Sequence, residues 1–198
     1  MSITIFAQAT HIPIIKLTDS SQYILQKQHI GFFEDTSTLL TIYNFISPVA
    51  DIDFTPLHTI KENRGFSSSA FWLKLDFKND GYSTHVYHLI FEYPLLNDIR
   101  FFKVQDSIIK DVVITGENFP YNSRQIQNRH FIFKLEIPAN AQITYFIRIF
   151  NIGEATRIPI SLSHIDNTAQ IHARSDFFSS IYYGYILFSI IFLIFMYV

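Results

Sequence analysis

The sequence predicts an all-β fold, an antiparallel jelly-roll β-sandwich, followed by one transmembrane α-helix. Three observations predict it. Apolar and polar residues alternate with period 2 through several short segments, the signature of half-buried strands whose side chains point to opposite faces. The chain carries 21 Phe and 11 Tyr, types that favour a pleated, half-buried surface over a helix. The last stretch, Phe177 to Val198, contains no Asp, Glu, Lys, Arg or His. As a helix it extends roughly 33 Å, enough to cross a hydrocarbon core of about 30 Å.

Residues 1–9 end in Ala7-Gln8-Ala9, the small-x-small form of a signal-peptidase site, and read as the remnant of a signal peptide without its charged n-region. Gln28 to Glu34 reads as a short strand closed by Asp35-Thr36-Ser37. Leu39 to Phe45 is apolar on both faces and fits a strand and a short helix equally. Pro48, Asp51, Asp53 and Pro56 mark an irregular connection. From Ala70 the pattern clears: Phe71, Leu73, Leu75 and Phe77 alternate with Trp72, Lys74 and Asp76, and Asn79-Asp80-Gly81 makes a turn. Tyr87, Leu89 and Phe91 alternate again and stop before Pro94.

Ile99 to Val104 and Ser107 to Thr115 form a further pair, separated by Gln105-Asp106, and 116–128 is a polar loop. Phe131, Phe133, Leu135 and Ile137 alternate with His130, Lys134 and Glu136. After the turn Pro138-Ala139-Asn140, Ile143, Tyr145, Ile147 and Ile149 alternate with Thr144, Phe146, Arg148 and Phe150. Ile158, Ile160 and Leu162 make a last short strand. About eight turn-punctuated strands without intervening helices predict the sandwich over 28–163. Residues 164–176 read as a polar linker compatible with helix, and 177–198 as the span, with Tyr182, Tyr183, Tyr185 and Tyr197 placed for interfacial belts.

The formal net charge of −2 argues against a nucleic-acid partner, since no excess of cations faces a phosphate backbone. The sequence has no Cys, which removes disulfides, thiolate chemistry and Cys-ligated zinc. Six scattered Gly make no phosphate-binding loop. His85 and His88, three apart on a strand, point to opposite faces and read as surface or cross-strand residues rather than metal ligands. The carboxylates of Asp76, Glu92, Glu117 and Glu136 are available for glycoside chemistry, but no local feature selects a pair. Neither a catalytic residue, nor a metal site, nor a cofactor is predicted.

The arrangement that points to binding is aromatic. With Phe71, Leu73 and Leu75 facing the core, Trp72 faces away from it, beside Lys74 and Asp76. On the strand 143–150 the corresponding face carries Phe146, Arg148 and Phe150. An apolar platform beside oriented donors suits a sugar or small polar ligand. Trp72 and Arg148 are the candidate ligand-binding residues, the indole as platform and the guanidinium as donor. Packing under a loop or against a carboxylate is the alternative for both.

Gly65-Phe66-Ser67-Ser68-Ser69-Ala70-Phe71-Trp72-Leu73-Lys74-Leu75, continuing to Asn79, resembles the extracellular jelly-roll domain (type 2) of bacterial seven-transmembrane receptors with diverse intracellular signalling modules. Phe33-Glu34-Asp35, Tyr93-Pro94-Leu95-Leu96-Asn97-Asp98, Thr115-Gly116, Pro120, Arg124, Tyr145-Phe146-Ile147-Arg148 and Ile158-Pro159-Ile160 follow the same pattern in order. Tyr183-Gly184 through Met196-Tyr197 is similar to the family's first membrane helix, so the likeness spans 28–198. The resemblance implies an outward-facing, non-enzymatic sensor related to carbohydrate-binding modules, in the inner (cytoplasmic) membrane with its sandwich in the periplasm or outside the cell. It implies as partners the membrane, a carbohydrate or other small polar ligand, the remaining receptor helices and a cytoplasmic output module. With one span where that plan has seven, the chain is expected to be a fragment of such a receptor or a truncated gene product. A membrane-tethered glycan-active enzyme and a structural module that binds a partner protein are the alternatives.

Overall fold

The alternating segments form strands close to where the sequence places them, and shorter pieces close the gaps. The computed structural model describes residues 12–18, 26–47, 52–61 and 63–197, with side chains of 164–179 left aside. In order these residues form β1 (Ile15–Leu17), β2 (Gly31–Asp35), α1 (Ile42–Ile46), β3 (Thr55–Pro56), β4 (Asn63–Phe66), β5 (Ala70–Asn79) and β6 (His85–Phe91). Then follow β7 (Asp98–Gln105), β8 (Ile108–Thr115), β9 (Phe131–Ile137), β10 (Gln142–Phe150), β11 (Ala155–Arg157), β12 (Ile160–His164) and α2 (Ile165–Tyr197). The triplet Ala7-Gln8-Ala9 lies outside the described residues.

The larger sheet runs β3-β2-β5-β10-β7-β8, with β1 added beside the end of β5. The smaller runs β12-β6-β9, and β4 and β11 make a separate two-stranded ribbon. All pairings are antiparallel except β1 with β5, where Ile15 pairs with Phe77 in parallel. Phe71, Leu73, Leu75, Phe131, Phe133, Leu135, Tyr145 and Ile147, the apolar phase of the three clearest alternations, are all buried in one core between the two sheets. Aromatic rings fill its centre: Phe101 stacks on Phe133 with centroids 4.7 Å apart, and Phe91 meets Phe133 edge-on at 5.8 Å. Tyr145 ties the sheets together by polar contact as well. Its hydroxyl accepts the Glu136 N–H at 2.9 Å and donates to the Glu136 carbonyl at 3.0 Å, which satisfies the free edge of β9. Further along that edge the Lys134 N–H donates to Gln125 Oε1 at 2.7 Å.

Four features go beyond the sequence reading or resolve what it left open. Leu39 to Phe45 resolves as a helix from Ile42, because the Thr41 N–H donates to Asn44 Oδ1 at 2.8 Å and fixes the first turn. The irregular connection contains β3, two residues whose partner is Gly31–Phe32. Gly31 is required there, since a Cβ would lie 2.9 Å from Phe54 Cβ. β1, β3, β4 and β11 are each four residues or fewer, too short to show a period. His85 and His88 are cross-strand residues, opposite Ile137 and Lys134 of β9, and both are buried at 8% exposure rather than at the surface, the His85 ring stacked beside Tyr87 with centroids 6.3 Å apart.

The sandwich has two distinct ends. At one, β5 begins, β10 finishes and β12 begins; the connections 92–97, 116–130 and 151–159 lie there. At the other, buried Asn79 donates through Nδ2 to the carbonyls of Ser83, Ile137 and Pro138 at 2.8, 3.2 and 3.0 Å. The chain enters α2 directly from His164 at this second end, so the expected linker 164–176 is helical from Ile165 and continuous with the span. Ser180–Tyr197 is long and apolar enough to cross a membrane, and none of it is buried against the sandwich.

Candidate functional site

On β5, β10 and β7 the side chains opposite the core form a grid fixed by the register. Trp72 lies across from Arg148, which lies across from Arg100; Lys74, Phe146 and Phe102 form the next row, and Asp76, Thr144 and Val104 the third. Trp72 and Arg148 are therefore direct cross-strand neighbours, as their phase requires.

The environment of Trp72 is the main correction to the sequence reading. The indole does face away from the central core, but it is 0% exposed. It belongs to a second apolar cluster with Ile42, Phe102, Val104 and Phe146, capped by Phe33, Phe45 and Phe54. Phe45 of α1 lies on it with ring centroids 4.4 Å apart, and Phe102 stacks beside it at 6.1 Å and 19°. The segment after β2 folds over this face because its apolar residues have nowhere else to be buried. Trp72 thus offers no open ring face to a ligand, and its Nε1 has no hydrogen-bond partner among the described residues.

Arg148 is half-buried beside it. One Nη donates to the Thr38 carbonyl at 3.2 Å, and the guanidinium lies 5.2 Å from the Phe150 ring centroid. Burial, and next the nearby Arg100, push its pKa below the ordinary guanidinium value, while Asp98 and Asp35 oppose the shift. Thr38, at φ 60°, sits in a tight loop organised by buried Asp35. That carboxylate accepts the N–H groups of Ser37, Thr38 and Leu40 at 3.0, 2.9 and 3.1 Å, and the Ser37 hydroxyl at 2.6 Å. Arg148 therefore clasps the loop that leads into α1.

Where α1 ends, the same face stays open. A cleft of about 370 Å³ runs from Phe45 and Phe146 to Lys74, Gln142 and Thr144 and out to the β7–β8 turn. That turn is the two-residue hairpin Asp106-Ser107, with φ of 53° and 58°, the backbone of a type I′ turn that follows the twist of its strands. Asp76 sits behind the cleft and fixes two of its groups. Its Oδ2 is 3.0 Å from Lys74 Nζ, and its Oδ1 accepts the Thr144 hydroxyl at 2.6 Å. The result is an aromatic wall with an ammonium, a hydroxyl, an amide and a carboxylate within reach, the mix that orients a small polar molecule. Lys74, Thr144 and Gln142 share the phase of Trp72 and Arg148 on β5 and β10, so the alternation reaches them; Phe45 and Asp106 arrive through folding of other segments.

Comparison with curated proteins finds no match. The sequence model of the family described as 7TMR-DISM extracellular 2 matches residues 27–164 of the 198. The match takes in β2 through β12, the whole frame on which both the capped indole and the open cleft are built. It ends at His164, the last residue before α2. The chain belongs to the 7TMR-DISM extracellular 2 family.

Proposed function

We propose that this outward-facing sensory domain of a membrane receptor binds a carbohydrate or other small polar ligand in the cleft beside α1. The observation that carries the reading is the pairing of Phe45 and Phe146 with Lys74 and Thr144, both held by Asp76. Apolar ring surface takes the C–H face of a sugar, and fixed polar groups take its hydroxyls. In this reading Lys74, Thr144 and Gln142 touch the ligand. Trp72 and Arg148 contribute from beneath, Trp72 as the bed of Phe45 and Arg148 as the clasp of the loop before α1.

The family is one of sensors rather than enzymes, and we read the sandwich as non-enzymatic. The domain sits, in this proposal, in the periplasm or outside the cell, with Phe177–Val198 in the inner membrane and further receptor helices and an output module completing the signalling unit. Such a receptor responds only if its ligand binds two arrangements of the domain with different affinity. The test is calorimetric titration of the full chain in detergent with neutral hexoses, repeated on Lys74→Ala and Thr144→Ala. Binding by the wild type that falls about tenfold or more in either folded variant is the expected result. Equal affinity in all three proteins refutes the cleft.

A further inference from the structure

We propose that a second cleft, at the end of the sandwich remote from the start of α2, binds a small carboxylate that also carries hydroxyl groups, and that its occupant acts on β12. This goes beyond the outer-face reading and does not depend on it. The cleft has a volume of about 500 Å³ and is lined by Asn63, Glu92, Tyr93, Arg157 and Pro159. These residues come from three places that the fold joins: the β4–β11 ribbon, the residues just after β6, and the residue just before β12.

Their chemistry selects the ligand. The Arg157 guanidinium lies 5.9 Å from the Tyr93 ring centroid, and none of the ion pairs among the described residues includes it. A guanidinium laid against a ring keeps its planar fork of donors free for the two oxygens of a carboxylate. Asn63 Oδ1 already accepts the Gly65 N–H at 3.0 Å, which leaves the amide NH₂ to donate beside it. Glu92 Oε1 accepts the Ser161 hydroxyl at 3.0 Å, which leaves Oε2 to accept from a ligand hydroxyl. Two donors for an anion, one acceptor for a hydroxyl and a phenol ring for C–H surface match a sugar acid.

The cleft is also connected to the membrane helix. Glu92 holds the entry to β12 at two points, through its N–H to the carbonyl of Pro159, just before the strand, at 3.1 Å and through its carboxylate to Ser161 within it. β12 pairs with one strand, β6, and passes into α2 without an intervening residue. A ligand that engages Arg157 and Glu92 bears on the residues that fix the start of this edge strand.

The test uses the full chain in detergent micelles, with D-glucuronate as probe and D-glucose as its uncharged counterpart. Calorimetry should show glucuronate binding at millimolar concentration or below, at least about tenfold tighter than glucose. Arg157→Ala, or Arg157→Gln if the alanine variant does not fold, should weaken glucuronate about tenfold or more. Lys134→Ala, at an exposed position of β9 outside both clefts, should leave it unchanged. Hydrogen exchange should show the amides of 160–164 slowed by glucuronate in the wild type and not in the Arg157 variant. Equal binding of the two sugars, no binding at millimolar glucuronate, or unchanged affinity in a folded Arg157 variant overturns the site. Loss of binding in Lys74→Ala alone moves the acid to the outer-face cleft and equally overturns it. Binding without slowed exchange in 160–164 overturns the action on β12.

Discussion

The rings of Phe45 and Trp72 lie with centroids 4.4 Å apart, a one-turn helix closing over the only indole in the chain. The single Trp makes this contact observable. Wild-type emission should be blue-shifted, as for an indole out of water, and Phe45→Ala should move it to longer wavelength while the domain stays folded. A water-like maximum in the wild type would mean that α1 does not cap this face. Trp72→Ala should cost about 3–5 kcal/mol in a denaturant titration, because it removes the largest side chain of the second cluster.

Phe133 and Lys134 are sequence neighbours on opposite faces of β9, one buried at 1% exposure and the other exposed. Phe133→Ala should cost about 3–5 kcal/mol, and Lys134→Ala no more than about 0.5 kcal/mol, since its contact with Glu136 is a surface ion pair. Urea unfolding of the two variants settles the phase of the strand. Similar losses would contradict it.

Tyr145→Phe should lose about 1–2 kcal/mol by removing both hydrogen bonds to Glu136 from the β9 edge. The same hydroxyl makes stability depend on alkaline pH. Burial raises its pKa above the ordinary tyrosine value near 10; the Glu136 backbone hydrogen bond opposes this, and the charges of Glu136 and Asp111 add to it. A raised folded pKa means that the contribution is complete below about pH 10 and declines as pH rises beyond it. Unfolding midpoints compared between about pH 8 and about pH 11 should therefore fall more in the wild type than in Tyr145→Phe.

Arg148→Lys should loosen the loop 35–40 more than it destabilises the core. Lysine keeps the charge but not the planar fork that reaches the Thr38 carbonyl. Hydrogen exchange at Thr38 and Leu40 should quicken, with a stability loss of about 1 kcal/mol. Unchanged exchange at both amides would show that Asp35 alone holds the loop.

A reporter fused after Ser163 should be active only outside the cytoplasm, because the sandwich faces outward and α2 follows at once. Cytoplasmic activity of the fusion would reverse the orientation.

What the sequence determined by itself is local and periodic. Alternation in 71–77, 131–137 and 143–150 assigned Phe71, Phe133 and Tyr145 to the core, since neighbours on a strand face opposite ways and only one phase is apolar throughout, the other mixing charged and aromatic residues. The uncharged run ending at Tyr197 likewise needed nothing beyond its own composition to be long and apolar enough for a membrane. The same parity placed Trp72 and Arg148 together on the outer face. Whether that face met water was decided by tertiary structure, because it depends on where the segment after β2 folds back, and no period in β5 records that. Phe45 arrives from 27 residues before Trp72 and buries it, whereas Lys74, two residues along the same strand, stays at the mouth of the open cleft. The ribbon of β4 and β11 was equally out of reach. Its strands of four and three residues are stable only because they pair across the chain and close one end of a core that other segments build.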